Sequence, residues 1–124
     1  MPPHAAPRPY GLVVDDHPLV ARGIAEFMRA HPLLEGAVSA TTTREAMQVV
    51  AEHGAPAIAL VDFWLGNVTA EPILQFLRDA HPGTRILAFS GDDRPALHEV
   101  VRARGAHGFL GKQNSPKDFH RAIT

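Results

Sequence analysis

Ala57-Ile58-Ala59-Leu60-Val61-Asp62-Phe63-Trp64 opens with five apolar residues, bounded by Gly54 and Pro56 on one side and Gly66 on the other. A run this short between breakers predicts a strand buried on both faces rather than a helix. Asp62 falls where that strand ends. A bare charge beside a core costs several kcal/mol, on the order of the effective penalty for one buried ion, unless something pairs it. The carboxylate is therefore read as chemical, a nucleophile able to accept a phosphoryl group.

The same pattern recurs outward from this stretch. Toward the N-terminus, Tyr10-Gly11-Leu12-Val13-Val14 is a second apolar run ending in adjacent acids, Asp15 and Asp16. Pro18 suits a first helical turn, and Leu19, Val20, Ile24, Phe27 and Met28 follow at helical spacing up to His31-Pro32. Ala37–Thr41 is a more polar strand that fits a sheet edge. Thr42-Thr43-Arg44-Glu45 has a capping-box pattern and opens a helix with Ala46, Met47 and Val50 inward, closed by Gly54. Beyond Asp62, a loop from Leu65 to Ala70 leads to a helix with Ile73, Leu74 and Leu77 on one face, stopped by His81-Pro82-Gly83. Arg85–Phe89 is a further strand, with Ser90-Gly91 at its end. Pro95 to Ala103 repeats a helical face at Leu97, Val100 and Val101. Gly108-Phe109-Leu110 is a last strand leading to Lys112, and Ser115-Pro116-Lys117-Asp118 opens a final helix.

Composition limits the classes of function. The 124 residues, 45% hydrophobic and 20% charged, suit one domain, expected over 10–124 after a disordered lead at 1–9 that carries four prolines. A net charge of -1 with interspersed signs argues against direct nucleic-acid binding by this chain. The chain has no cysteine, which removes disulfide and thiolate chemistry and fits a reducing compartment. No apolar run is long enough to cross a bilayer, and the first nine residues lack the apolar core of a signal peptide; a cytoplasmic location is expected.

Strict alternation of strands and helices predicts an α/β fold, a doubly wound five-stranded parallel sheet covered on both faces. Such folds bind ligands outside the carboxyl ends of their strands, where strand order reverses. Asp15, Asp16, Asp62, Ser90 and Lys112 all fall on that edge. Three carboxylates about 5 Å apart repel one another by roughly 3 kcal/mol per pair at an effective dielectric near 20. A hard divalent cation resolves the conflict, and an all-oxygen ligand set favours Mg²⁺. With the Lys112 ammonium and the Ser90 hydroxyl nearby, charge on a transferring phosphoryl group would be offset, which is most of what this chemistry asks of a protein.

Val13-Val14-Asp15-Asp16-His17-Pro18-Leu19-Val20-Ala21-Arg22-Gly23 and Gly108-Phe109-Leu110-Gly111-Lys112-Gln113-Asn114-Ser115-Pro116 carry a resemblance. With the spacing from Asp62 to Ser90 to Lys112, the chain resembles the receiver domain of bacterial two-component response regulators, NarL-type branch, from Leu12 to Ile123. The resemblance implies a flavodoxin-like strand order 2-1-3-4-5 and a non-enzymatic signalling module. It implies that Asp62 is the phosphoacceptor and that Asp16, Asp62 and the Trp64 backbone carbonyl hold Mg²⁺, with Asp15 beside them. It makes Lys112 the phosphoryl contact, Ser90 the switch hydroxyl and Phe109 the switch aromatic. Implied partners are a sensor histidine kinase, a second copy of the chain or an effector domain. NarL-type members continue into a helix-turn-helix domain, so the end at Thr124 is read as a truncation. Gly66 and Ala70 depart from the family's usual proline and glycine after the acceptor, and Gln113 from its usual proline.

Each residue also has a plainer reading. Asp15 and Asp16 alone would be a turn or cap, Lys112 a solvated surface residue, Ser90 a turn residue and Phe109 core. Trp64 is read as packing, or as shading an acyl phosphate from water. The eight histidines show no paired ligand spacing and are expected on the surface. Two other functions compete with the receiver reading. One is a pseudo-receiver that binds a partner without phosphorylation. The other is an aspartyl phosphohydrolase, against which stands Trp64 where a second acid would be needed two residues after Asp62.

Overall fold

A computed structural model of the chain describes residues 9–65, 68–90, 99–100, 102–104 and 106–111; for Trp64, Val68, Ser90 and Leu110 it describes the backbone alone. All five expected strands are present: β1 (Tyr10–Val14), β2 (Gly36–Ala40), β3 (Ile58–Asp62), β6 (Arg85–Ser90) and β7 (Gly108–Gly111). Between them run α1 (Pro18–Arg29), α2 (Thr43–His53), the two-residue strands β4 (Trp64–Leu65) and β5 (Val68–Thr69), and α3 (Glu71–Ala80). The large sheet is parallel throughout, ordered β2-β1-β3-β6-β7. Leaving out the short β4–β5 pair, this is the 2-1-3-4-5 order expected, and the more polar β2 stands at the edge.

Side-chain alternation splits the core between the two sheet faces. Leu12, Val14 and Val61 pack on one face with Ala46 and Val50 of α2 and Ile73, Leu74 and Leu77 of α3. Val13, Leu60 and Phe89 pack on the other with Ala21, Ala25 and Met28 of α1. The three large α3 side chains are fully buried, each contributing about 1.5–3 kcal/mol.

α1 differs from its sequence reading. Leu19 is 81% exposed and Val20 is exposed as well, while Ala21, Ala25 and Met28 carry the buried stripe. Small residues let this helix lie close to the sheet. A Cβ at Gly11 would overlap Met28 Cε and come within 3.3 Å of Leu34 Cδ1, so glycine in β1 is what admits the Met28 tip. Val100, expected to face inward, is exposed. Of its expected companions, Leu97 and Val101 lie outside the described residues, as do residues 1–8 of the lead and the final helix from Ser115.

The helix ends follow local chemistry. Thr42 caps α2, its hydroxyl accepting from Glu45 N at 3.1 Å. The Glu45 carboxylate reaches one residue further back than a standard capping box, to the Thr41 backbone N–H at 2.9 Å and to the Thr41 hydroxyl. Gly54 closes α2 at φ 83, in the left-handed region that glycine enters without a Cβ penalty. The segment expected as a loop holds an antiparallel pair, Trp64 opposite Thr69 and Leu65 opposite Val68. Among the described residues, no helix is long and apolar enough to cross a membrane.

Candidate functional site

β1 and β3 are neighbours, with Val14 opposite Val61. Asp15 therefore follows one strand level with Asp62 at the end of the other. Here the strand order reverses, because β2 lies beyond β1 and β6 beyond β3, which is the crevice position expected for a ligand. Three backbone hydrogen bonds hold this edge: Asp15 N to Ala40 O at 3.0 Å, Phe63 N to Phe89 O at 3.0 Å and Ala70 N to Phe63 O at 2.7 Å.

Asp15, Asp16, His17 and Asp62 each bring one ligating atom into a cluster whose members all lie within 4.8 Å of one another. Asp15 is fully buried and Asp62 is 2% exposed. Asp15 Oδ1 accepts from His17 N at 2.9 Å and lies 2.8 Å from His17 Nδ1. Asp16 Oδ1 is a buried atom that accepts no aligned hydrogen bond; His17 Nδ1 stands 3.2 Å away as an ion-pair contact. Three carboxylates this close raise one another's energy by roughly 3 kcal/mol per pair at an effective dielectric near 20. A buried acceptor without an aligned donor inside an oxygen-rich cluster fits a divalent cation, which Asp16 and Asp62 would hold with Asp15 beside them.

The other expected site residues are placed unevenly. β6 ends at Ser90, whose register partner is Gly111 of β7. That brings residue 90 to the same edge as Asp62, itself paired with Phe89. The Ser90 side chain and all of Lys112 lie outside the described residues. Trp64 is placed by its backbone in β4. Phe109 is partly buried against the core on the α2–α3 face. Ala70, at a position the resemblance gives to glycine, is fully buried, so the core takes up its methyl group.

Two features escaped the sequence reading. Not every histidine is a surface group: His31 is 3% exposed, and His17 is engaged with two of the acids. The signal for His17 was its place directly after the acid pair, not a paired spacing. The β4–β5 pair had a signal in Gly66-Asn67, two residues of hairpin-turn type between short apolar runs. Asp62, at the floor of this crevice, has almost no exposed surface.

Sequence and structure comparisons agree with this geometry. A family profile described as response regulator receiver domain matches residues 12–124. The chain is similar to the transcriptional activator protein ExaE of Pseudomonas putida, 33% identical over 116 residues that cover 90% of this chain and 52% of that protein. It is 28% identical to the transcriptional regulatory protein UhpA of Escherichia coli over 111 residues, 90% of this chain and 55% of that one. The chain thus spans about half the length of the curated relatives it matches. Among solved structures, the signal receiver domain of the putative response regulator NarL from Mycobacterium tuberculosis superposes with a TM-score of 0.75 at 26% identity, over 95% of this chain and 94% of that one.

Proposed function

Because this chain belongs to the response regulator receiver domain family, we propose that it is the phosphoacceptor module of a two-component regulator, with Asp62 as the acceptor. The observation that carries the reading is the convergence of Asp15, Asp16 and Asp62 at the reversal of strand order. A sensor histidine kinase is the donor. An Asp62 carboxylate oxygen attacks phosphorus, an acyl phosphate bond forms, and the donor's phosphorus–nitrogen bond breaks as its imidazole takes a proton. Mg²⁺, when bound, offsets charge on the transferring group. Asp16, Asp62 and the Trp64 carbonyl would hold that ion with Asp15 beside them, and Lys112 and Ser90 would contact the phosphoryl oxygens.

The added charge draws Ser90 inward and Phe109 follows, which changes the surface carrying β7 and its neighbouring helices. Two pre-existing packings are biased rather than a new one created. ExaE and UhpA are named as transcriptional regulators, and the output proposed here is transcriptional, through an effector domain or a second copy of the chain. The module acts in the cytoplasm, within a receiver spanning 10–124.

The near-complete burial of Asp62 favours a second reading, a pseudo-receiver that binds its partner without phosphorylation. One experiment separates the two. The protein is incubated with Mg²⁺ and a small acyl-phosphate donor, and its intact mass is measured. A gain of one phosphoryl group, absent in Asp62→Ala, supports the receiver. No gain in the wild-type chain supports the pseudo-receiver, and continued turnover of the donor would indicate a hydrolase.

A further inference from the structure

We infer that His107 is a positioning residue of the phosphoacceptor site, whose imidazole stands in for a backbone carbonyl and fixes the register of β7 against β6. The inference rests on the roles proposed for Phe109 within β7 and for Lys112 directly after it. His107 engages both backbone groups of a single residue. Its N–H donates to Ile86 O at 2.7 Å, and its ring Nδ1 accepts from Ile86 N at 2.9 Å. In a regular parallel ladder the second of these bonds would go to a carbonyl of the neighbouring strand. Here a side chain takes it, one residue before the strand begins at Gly108. Because Nδ1 accepts, the ring proton sits on Nε2. Ile86 is 1% exposed, so its N–H lies away from solvent and depends on the ring for a partner.

β7 has little else to hold its register. Gly108-Phe109-Leu110-Gly111 is half glycine and stands at the end of the sheet beside β6. Glycine-rich strands specify register weakly, and a slip of one residue moves a strand by about 3.3 Å and turns every side chain to the other face. Such a slip would take Phe109 off the α2–α3 face against which it packs. It would also move position 112, because Gly111 stands level with Ser90 and Phe89 level with Asp62. Gly108 resists slippage by shape alone: a Cβ there would come within 2.8 Å of Leu87 Cδ2, a side-chain tip that can turn aside. The bond from Ile86 is directional and does not yield in that way. Backbone groups alternate along a strand, and Phe89 O faces β3, so the groups of Leu87 face β3 as well. After a one-residue shift the ring would lie beside Leu87 and find no donor.

The test compares His107→Leu, which keeps bulk but has no acceptor, with His107→Asn, whose carbonyl oxygen stands at the same remove from Cα as Nδ1. His107 is exposed, so neither change disturbs the core. Amide exchange at Ile86 is expected to quicken by about tenfold in His107→Leu and to return to near the wild-type rate in His107→Asn. Phosphorylation by an acyl-phosphate donor with Mg²⁺, followed by intact mass, is expected to slow by about fivefold or more in His107→Leu and to recover in His107→Asn. Thr84→Val removes another hydrogen bond at the same end of the sheet and should leave that rate unchanged. Unchanged Ile86 exchange or unchanged phosphorylation in His107→Leu overturns the inference, as does an Asn variant no better than the Leu variant. So does equal slowing in Thr84→Val, which would reduce the effect to lost stability. In isotope-labelled wild type, a neutral ring with its proton on Nδ1 overturns it without any variant. A wild-type chain that takes up no phosphoryl group overturns the receiver reading instead, and exchange at Ile86 then decides by itself whether His107 registers β7.

Discussion

The two edges of the sheet treat polar groups in opposite ways. At the amino edge, polar side chains close the ends of the strands: the buried Thr84 hydroxyl donates to Pro56 O at 2.7 Å and the Tyr10 hydroxyl to Gly54 O at 2.6 Å. His107 Nδ1 accepts from Ile86 N at 2.9 Å. Each of these side chains meets a complementary backbone group, and burial pushes the Tyr10 hydroxyl above its ordinary pKa, keeping it a donor. At the carboxyl edge, Asp15, Asp16 and Asp62 are packed against one another. Polar residues at the first edge complete the backbone; those at the second gather three like charges within a few ångströms of one another.

If that contrast is right, removing a polar group has opposite signs at the two edges. The largest effect is expected for Asp62→Asn. Phosphoryl incorporation is abolished, and in metal-free buffer the folded state is stabilised by roughly 1–3 kcal/mol, because one of the mutually repelling charges is gone. Mg²⁺ then stabilises the wild type more than the variant, since only the wild type has the full ligand set. Urea unfolding with and without Mg²⁺ measures both terms. An Asp62→Asn protein less stable than the wild type in metal-free buffer would place this carboxylate with the structural groups of the other edge.

The matched change at the amino edge is Thr84→Val, which keeps shape and deletes the hydroxyl. It leaves the Pro56 carbonyl without its buried donor and is expected to cost about 1–2 kcal/mol. The loss should be the same with and without Mg²⁺. A Mg²⁺-dependent loss would mean that the two edges are energetically coupled.

These contrasts explain why the carboxyl edge was legible in the sequence while other parts were not. Asp15, Asp62 and Ser90 stand where apolar runs stop, and the parallel topology that those runs imply puts all three positions on one edge. The face of α1 was less legible because hydrophobic spacing registers how apolar a residue is, not how closely two backbones approach. Leu19 satisfies the periodicity, but Ala21, Ala25 and the Gly11 notch decide which stripe lies down. The β4–β5 pair is too short to generate alternation, leaving only its turn residues as a signal. His17 was missed because paired ligand spacing was the pattern sought among the histidines, whereas its ring contacts the two acids directly before it, Asp15 and Asp16.

A fourth carboxylate sharpens the comparison, because it lies just past the carboxyl end of β2 and should behave in the opposite way to Asp62. Glu45 is held below its ordinary pKa of 4.5, first by the Thr41 hydroxyl and next by the Thr41 backbone N–H. A lowered folded-state value means that its stabilisation is complete above about pH 4.5 and is lost as pH falls through the folded value. Thr41→Val removes the larger cause, so the variant should lose a little stability near neutral pH and show a shallower decline on acidification. Glu45 is exposed, which makes this the smallest of the three effects. Urea midpoints for the two proteins should differ near neutral pH and converge as pH falls below 4.5 and through the folded-state value. Convergence would show that the sign of a carboxylate's contribution follows its neighbours rather than its edge: donors from Thr41 around Glu45, other carboxylates around Asp62.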